Sequence, residues 1–302
     1  MKHGFLAVGD GHTLYYEEHG IEDGPTAIVL HGGPGGGMQH GALKCFDLKL
    51  WRVIMYDQRG CGKSTPFGSI KKNTTWDLVE DIERLRYHLV VDSWYVFGGS
   101  WGTTLGLAYA VNYPTFVSGL LLRGVCLMNE WETRWLYENG ASQIFPEEWE
   151  KFVRPLQSRK NNSRSIIRYY SEKLSSKRKT TRRAAARAWW GWESAVSFLK
   201  PRPDKTDIRK IESLARLETH YFSHNAWIRP DILLRRIRRL RMPITIVQGR
   251  YDMVCPIRAA WQVKQAAPHA KLIVVPDAGH SSSEPGIAKA LREATDTFIN
   301  AK

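Results

Sequence analysis

Ser100 stands between glycines in Gly98-Gly99-Ser100-Trp101-Gly102, a G-x-S-x-G pattern. The apolar run Trp94–Phe97 (WYVF) leads straight into it, and a helix-favouring stretch from Trp101 to Asn112 leaves it. In that strand–turn–helix setting a tight turn forces a serine hydroxyl into the open. Glycines flank the serine because side chains would collide inside the turn. A serine hydroxyl is a weak nucleophile until a base takes its proton and an acid orients the base. In this setting the order along the chain is serine, acid, histidine. Asp252 follows the apolar run ITIVQ in GRYDMVCP, and His280 follows LIVV in DAGHS. Both therefore fall on loops at strand ends, the edge where open parallel sheets place their sites. Asp57 and Asp277 are competing acids, but Asp57 precedes the serine and Asp277 lies too close to His280 to serve it. His31 also follows a strand and His269 falls in a connector, so His280 is the expected base.

A nucleophile of this kind needs donors for the oxyanion it creates. His31-Gly32-Gly33-Pro34-Gly35 follows the run TAIVL, where one backbone donor is expected; the other is the N–H of Trp101. Gly33 is the predicted donor and His31 a positioning residue. Two nucleotide-binding patterns fail. HGGPGGG does not fit G-x-G-x-x-G in any register, and Gly62-Lys63-Ser64 would need a glycine where Asp57 stands.

The elements that must carry these residues are legible as short β-branched runs. Thr26–Leu30, Arg52–Tyr56, Trp94–Phe97 and Val117–Leu122 read as buried strands, with helical periodicity over Trp76 to Val91 and Trp101 to Asn112. The rhythm stops after Gly124 and resumes with Ile244–Gln248, a helix from about Pro256, Leu272–Val275 and a terminal helix near Ile287 to Ile299. Between them the chain is aromatic, basic and rich in helix formers. The expected fold class is α/β, a mostly parallel sheet covered on both faces and interrupted by a helical insertion. The expected division is a core over 1–125, a helical cap over 126–230 and the rest of the core over 231–302.

Composition bounds the function classes. The 302 residues carry a net charge of +14, concentrated between Lys151 and Arg187, where 13 basic residues face one acid, Glu172. Arg235, Arg236, Arg238, Arg239 and Arg241 form a second cluster. No nucleic-acid module accompanies them, so solvated helix faces are expected and nucleic acid is not. No apolar run approaches the roughly 20 residues of a membrane span, and the start lacks a signal peptide's apolar core. A cytoplasmic protein is expected. Four cysteines, Cys45, Cys61, Cys126 and Cys255, are scattered and read as free thiols. Metal-ligand spacing is absent, so no metal and no cofactor are expected.

At this point the sequence resembles the proline iminopeptidases, α/β-hydrolases with a helical cap. The resemblance runs nearly end to end, through GDGHTLYYEEHG near the start, HGGPGGG at 31–37, DQRGCGKSTP at 57–66, GGSWGTTLGLAYA at 98–110, IFPEEWE at 144–150 and GRYDMVCP at 249–256. It implies release of an N-terminal proline from small peptides without metal or cofactor. It also implies that Glu193 in WWGWES and Glu218 in ARLETHYF bind the free amine, a task suited to charge-assisted hydrogen bonds. Phe222 is implied in the pocket for the first residue. Cys126 and Leu136 stand where the family carries aromatics, which alters pocket shape, and one methylene is worth about 1–3 kcal/mol of discrimination. Bulky thiol reagents are expected to act at Cys255, through the loop of Asp252. Alternatives that keep this fold are an esterase or amidase with no need for a free amine, and a non-catalytic ligand-binding protein.

Overall fold

The computed structural model describes residues 1–157, 161–200 and 206–300. Runs of Val, Ile and Leu buried on both faces make the central strands: β3 (Thr26–Leu30), β4 (Arg52–Tyr56), β5 (Trp94–Gly99), β6 (Val117–Arg123) and β7 (Ile244–Gly249), with β8 (Lys271–Val275) at one edge. These six pair in parallel. The expected strand runs lie within them.

Two strands were not foreseen. β1 (Lys2–Gly9) and β2 (His12–Gly20) form an antiparallel hairpin that adds to β4, giving the order β1-β2-β4-β3-β5-β6-β7-β8. The signal was Asp10-Gly11, both at positive φ (53° and 79°), the pair that tight hairpin turns favour.

Helices α1 (Thr75–His88) and α2 (Trp101–Asn112) follow β4 and β5. Thr74 and Asp77 cap α1 reciprocally, side chain to backbone in both directions. Among the described residues, β6 and β7 are separated by α3 (Glu130–Tyr137), α4 (Ala141–Ile144), α5 (Pro146–Val153), α6 (Ser163–Leu174), α7 (Lys179–Val196), α8 (Ile208–Ser223) and α9 (Pro230–Ile237). The last helices are α10 (Ile257–Ala266) and α11 (Pro285–Asn300).

One apolar core lies under α1, α2, α9 and α10, through residues such as Ile82, Leu105, Leu233 and Val263. A second lies on the other face, where Phe46, Trp51, Phe97 and Phe298 meet. A third belongs to the helices between β6 and β7, centred on Phe152, Tyr170, Trp189 and Trp192. Basic residues of the run expected to be solvated, including Arg164, Arg168, Arg178, Lys179 and Arg187, are exposed on α6, α7 and the turn between them. Arg159 and Lys160 lie outside the described residues. Among the described residues no helix is long and apolar enough to cross a membrane.

The loop after β4 is fixed by a buried ion pair. Arg59 Nε and Nη2 donate to the two oxygens of Asp81 at 2.6 and 2.8 Å, and neither side chain is exposed. Removing one member of such a pair strands a buried charge. Asp81→Ala is expected to cost about 3–5 kcal/mol of folding stability in urea unfolding; a cost below about 1 kcal/mol would show that Arg59 is reached by water instead.

Candidate active site

Ser100 is the single residue between β5 and α2, at φ 57° and ψ −125°. That strained conformation persists because the neighbours leave no alternative. A side-chain carbon on Gly98 would lie 2.2 Å from the Gly102 carbonyl oxygen, and one on Gly102 would lie 2.1 Å from that of Leu30. Strand and helix thus cross at backbone distance. The Ser100 N–H donates to Arg123 O at 2.9 Å, and its carbonyl accepts from Thr103 N at 2.8 Å and Thr103 Oγ1 at 2.7 Å. The turn holds whatever its hydroxyl does.

The predicted acid and base meet behind it. His280 Nδ1 and Asp252 Oδ2 are 2.8 Å apart. Asp252 is buried, and its Oδ1 accepts the N–H groups of Val254 and Cys255 at 3.0 and 2.7 Å. Gln248 Nε2 donates to Oδ2 at 3.2 Å. Asp57 is instead committed to the N–H groups of Met38 and Lys63 at 2.7 and 2.8 Å, and Asp277 is exposed.

His280 Nε2 does not bond the serine. Arg123 Nη1 lies 3.1 Å from it and donates to the His280 carbonyl at 2.9 Å. An arginine can only donate, so Nε2 presents its lone pair and Nδ1 carries the proton toward Asp252. That is the tautomer a general base requires. Ser100 Oγ has Cys255 Sγ at 3.9 Å. A bulky group on Cys255 would therefore crowd the serine as well as the loop of Asp252.

The glycine loop lies beside the serine: a side-chain carbon on Gly32 would sit 3.3 Å from Ser100 Cβ. Gln58 ties the loop to the turn. Its Oε1 accepts from Trp101 Nε1 at 3.0 Å, its Nε2 donates to His31 O at 3.0 Å, and its N–H donates to His31 Nε2 at 3.1 Å. The other nitrogen of His31 bonds Gly32 O at 2.9 Å. Burial holds His31 below its ordinary range, so the ring is neutral.

Ser100, His280, Gly33, Trp101, Glu193, Glu218, Phe222, Cys126 and Leu136 all line one cavity of about 600 Å³; Asp252 lies behind His280. Glu193 on α7 and Glu218 on α8 are buried close to one another, each bearing on the other's ionisation. Tyr137 donates its hydroxyl to Glu193 Oε1, and Trp189 Nε1 donates to Glu218 Oε2 at 2.7 Å. Tyr137 and Trp189 stack at 4.7 Å between centroids, with Phe222 beside both. Among the described residues no Lys or Arg pairs with either carboxylate.

A sequence profile of the family described as alpha/beta hydrolase fold matches residues 25–286. A probable proline iminopeptidase of Leptolyngbya boryana is 46% identical over 305 aligned positions, spanning 99% of this chain and 94% of the relative. A proline iminopeptidase of Arabidopsis thaliana is 45% identical, over 97% of this chain and 78% of the relative, and one of Neisseria gonorrhoeae is 42% identical, over 98% and 96%. The chain belongs to the proline iminopeptidase family of α/β-hydrolases. The family resemblance and the fold expected from sequence are both borne out. Solved structures agree on the fold: a putative aryl esterase from Burkholderia cenocepacia superposes with TM-score 0.70 over 100% of both chains at 15% identity. An esterase from Exiguobacterium antarcticum does so at 0.67, over 98% of each, at 19%.

Several residues that shape this family member's cavity went unread in the sequence. Arg123 and Gln58 act through contacts made only after folding. Tyr137 and Trp189 had a weak signal, being the neighbour of Leu136 and the residue one helical turn before Glu193. Glu132 also lines the cavity. It accepts from the N–H groups of Leu127 and Asn129 at 3.1 and 2.8 Å, and burial pushes its carboxyl up to about 7.

Burial likewise pushes Glu193 up to about 7, against the hydrogen bonds of Tyr137, Glu218 and Trp189. Glu218 is driven well above the carboxylate range, by burial first and by the charge of Glu193 second. Two adjacent buried carboxylates cannot both ionise cheaply, so the free protein keeps at least one proton between them. Well below pH 4.5 the folded and unfolded chains both hold these protons; from 4.5 up to about 7 the unfolded chain releases its proton while folded Glu193 keeps it, so stability falls across that window and the loss from Glu193 levels off above it. Glu193→Gln is therefore expected to raise Tm at about pH 8, the gain shrinking as pH falls below about 7 and vanishing well below pH 4.5. A gain that is constant across pH would contradict the assignment.

Proposed function

We propose that this chain is a serine aminopeptidase that releases the N-terminal residue, preferentially proline, from small peptides. The observation that carries the reading is the carboxyl pair Glu193–Glu218, buried without a cationic partner among the described residues, in the same cavity as Ser100 and His280. A buried anionic site is stable only when a cation arrives to share it. The protonated N-terminus of a peptide supplies that cation, and its charge holds both carboxylates ionised. The aromatic ring of Phe222 and the apolar surfaces of Leu136 and Cys126 then face the first side chain.

With the amine fixed, the first peptide carbonyl lies over Ser100. The serine hydroxyl replaces the guanidinium of Arg123 at His280 Nε2, which takes its proton as Oγ attacks the carbonyl carbon. Asp252 stabilises the imidazolium through Nδ1–H. The N–H groups of Gly33 and Trp101 receive the negative oxygen. His280 next protonates the leaving nitrogen, the C–N bond breaks, and an acyl ester remains on Ser100. Water, deprotonated by His280, hydrolyses the ester and restores the serine.

An esterase or amidase of the same architecture would share the serine chemistry and ignore the carboxyl pair. The discriminating experiment is a panel of arylamides of Pro, Ala and Leu, each free and N-acetylated. The free prolyl substrate is expected to turn over fastest and acetylation to abolish turnover. Ser100→Ala is expected to lower kcat at least about a thousandfold. Glu193→Gln is expected to raise KM about 10- to 100-fold, the worth of one charge-assisted hydrogen bond. Equal turnover of acetylated and free substrates would overturn the reading.

A further inference from the structure

Away from the cavity, Glu17, His19 and His40 meet at one point. Glu17 and His19 alternate along β2, so their side chains leave the same face of the sheet. His40 opens the short 3-10 turn His40–Cys45 that follows the glycine loop. His19 Nε2 lies 2.9 Å, and His40 Nε2 2.7 Å, from the same carboxylate oxygen, Glu17 Oε2. The two rings stand at 77° with centroids 5.9 Å apart, so their nitrogens converge without the rings stacking. Glu17 Oε1 accepts the Tyr15 hydroxyl at 2.9 Å, which fixes the rotation of the carboxylate. The side chains of Glu17 and His19 are 4% and 10% exposed and that of His40 is 58% exposed. The point is walled by protein on one side and open to water on the other.

We propose that Glu17, His19 and His40 form a binding site for one divalent transition-metal ion of the zinc type, held through the two Nε2 atoms and Oε2 and completed by water. Two imidazoles and a carboxylate suit Zn²⁺, Co²⁺, Ni²⁺ or Cu²⁺, whereas Mg²⁺ and Ca²⁺ want oxygen ligands throughout. The three donor atoms already lie within 4.8 Å of one another. Bonds of about 2.0–2.2 Å to a central ion need only a small spreading from hydrogen-bond distance. Tyr15 supplies the outer hydrogen bond that orients a ligating carboxylate. The ammonium of Lys63 approaches the opposite oxygen, Oε1, at 3.9 Å and leaves Oε2 free for the ion.

The placement gives the ion a structural task. β2 is held in the sheet between β1 and β4, while His40 continues from the glycine loop, whose Met38 N–H is bonded to Asp57 Oδ1 at 2.7 Å. An ion at Glu17 would tie the far end of that loop to the sheet. The chain separation between His19 and His40 explains why no metal spacing is legible in the sequence. A second group, His31, Asp57 and Cys61, also lies close together. It is buried, and both nitrogens of His31 are engaged, with Gly32 O and the Gln58 N–H, so it supports no such reading.

The test uses the full chain, stripped with a chelator and then titrated with Zn²⁺ by calorimetry and with Co²⁺ by visible absorbance. The expected result is one ion per chain, cobalt bands that Zn²⁺ displaces, and a Tm raised by Zn²⁺. His19→Ala and His40→Ala are each expected to weaken binding at least about tenfold and to remove the Tm rise. His40 is half-exposed, so its variant tests the site without disturbing the core. Binding that is undetectable in the unsubstituted chain would overturn the proposal. So would binding that survives in the double variant, for example on the thiols of the cavity.

Discussion

The backbone at Ser100 departs from every favoured conformation of a non-glycine residue, and the rest of the site depends on that departure being enforced. Enforcement comes from contact at backbone distance, β5 against α2 at Gly98 and Gly102, and α2 against the end of β3. A parallel sheet makes this possible because β3, β5, β6, β7 and β8 all end at one edge. The glycine loop leaves β3, Ser100 leaves β5, Arg123 ends β6, and Asp252 and His280 follow β7 and β8. One side chain, Gln58, spans from the serine's own helix to the glycine loop and is carried by the loop after β4. That loop is in turn anchored by Arg59 and Asp81.

Against this rigid edge the helices between β6 and β7 set a second constraint, which is electrostatic. They bury Glu193 and Glu218 among Tyr137, Trp189 and Phe222, where neither carboxyl meets a basic side chain among the described residues. The arrangement opposes stability at neutral pH. Such an arrangement is understandable as a site whose missing charge comes with the ligand, since functional sites are where polar burial is left incomplete. The basic character of the same helices is a separate matter, resting on exposed residues of α6 and α7 that point to water.

The central strands were legible because residues buried on both faces form continuous β-branched runs that no amphipathic helix imitates. Ser100, Asp252 and His280 were legible for a related reason: each lies within a few residues of the end of such a run. The hairpin of β1 and β2 was missed because β1 is largely exposed and β2, though mostly buried, mixes His, Thr and Glu with its apolar residues, and only Asp10-Gly11 marked the turn. Gln58, Arg123 and Glu132 were missed because their partners are remote in sequence or are backbone groups without identity. The meeting of His40 with Glu17 and His19 is of the same kind. Family resemblance pointed to Glu193 and Glu218, while the aromatic and hydroxyl groups around them emerged only with the fold.

In the proposed mechanism one cavity presents the serine to a carbonyl whose neighbouring amine is held by the two carboxylates. The most direct measurement is a crystal structure of the protein with a prolyl boronic acid, whose boron forms a tetrahedral adduct with an active serine. Boron is expected bonded to Ser100 Oγ, with one boron-bound oxygen facing the N–H groups of Gly33 and Trp101 and the pyrrolidine nitrogen within hydrogen-bond distance of Glu193 or Glu218. An adduct on another residue, or a ring nitrogen turned away from both carboxylates, would contradict it.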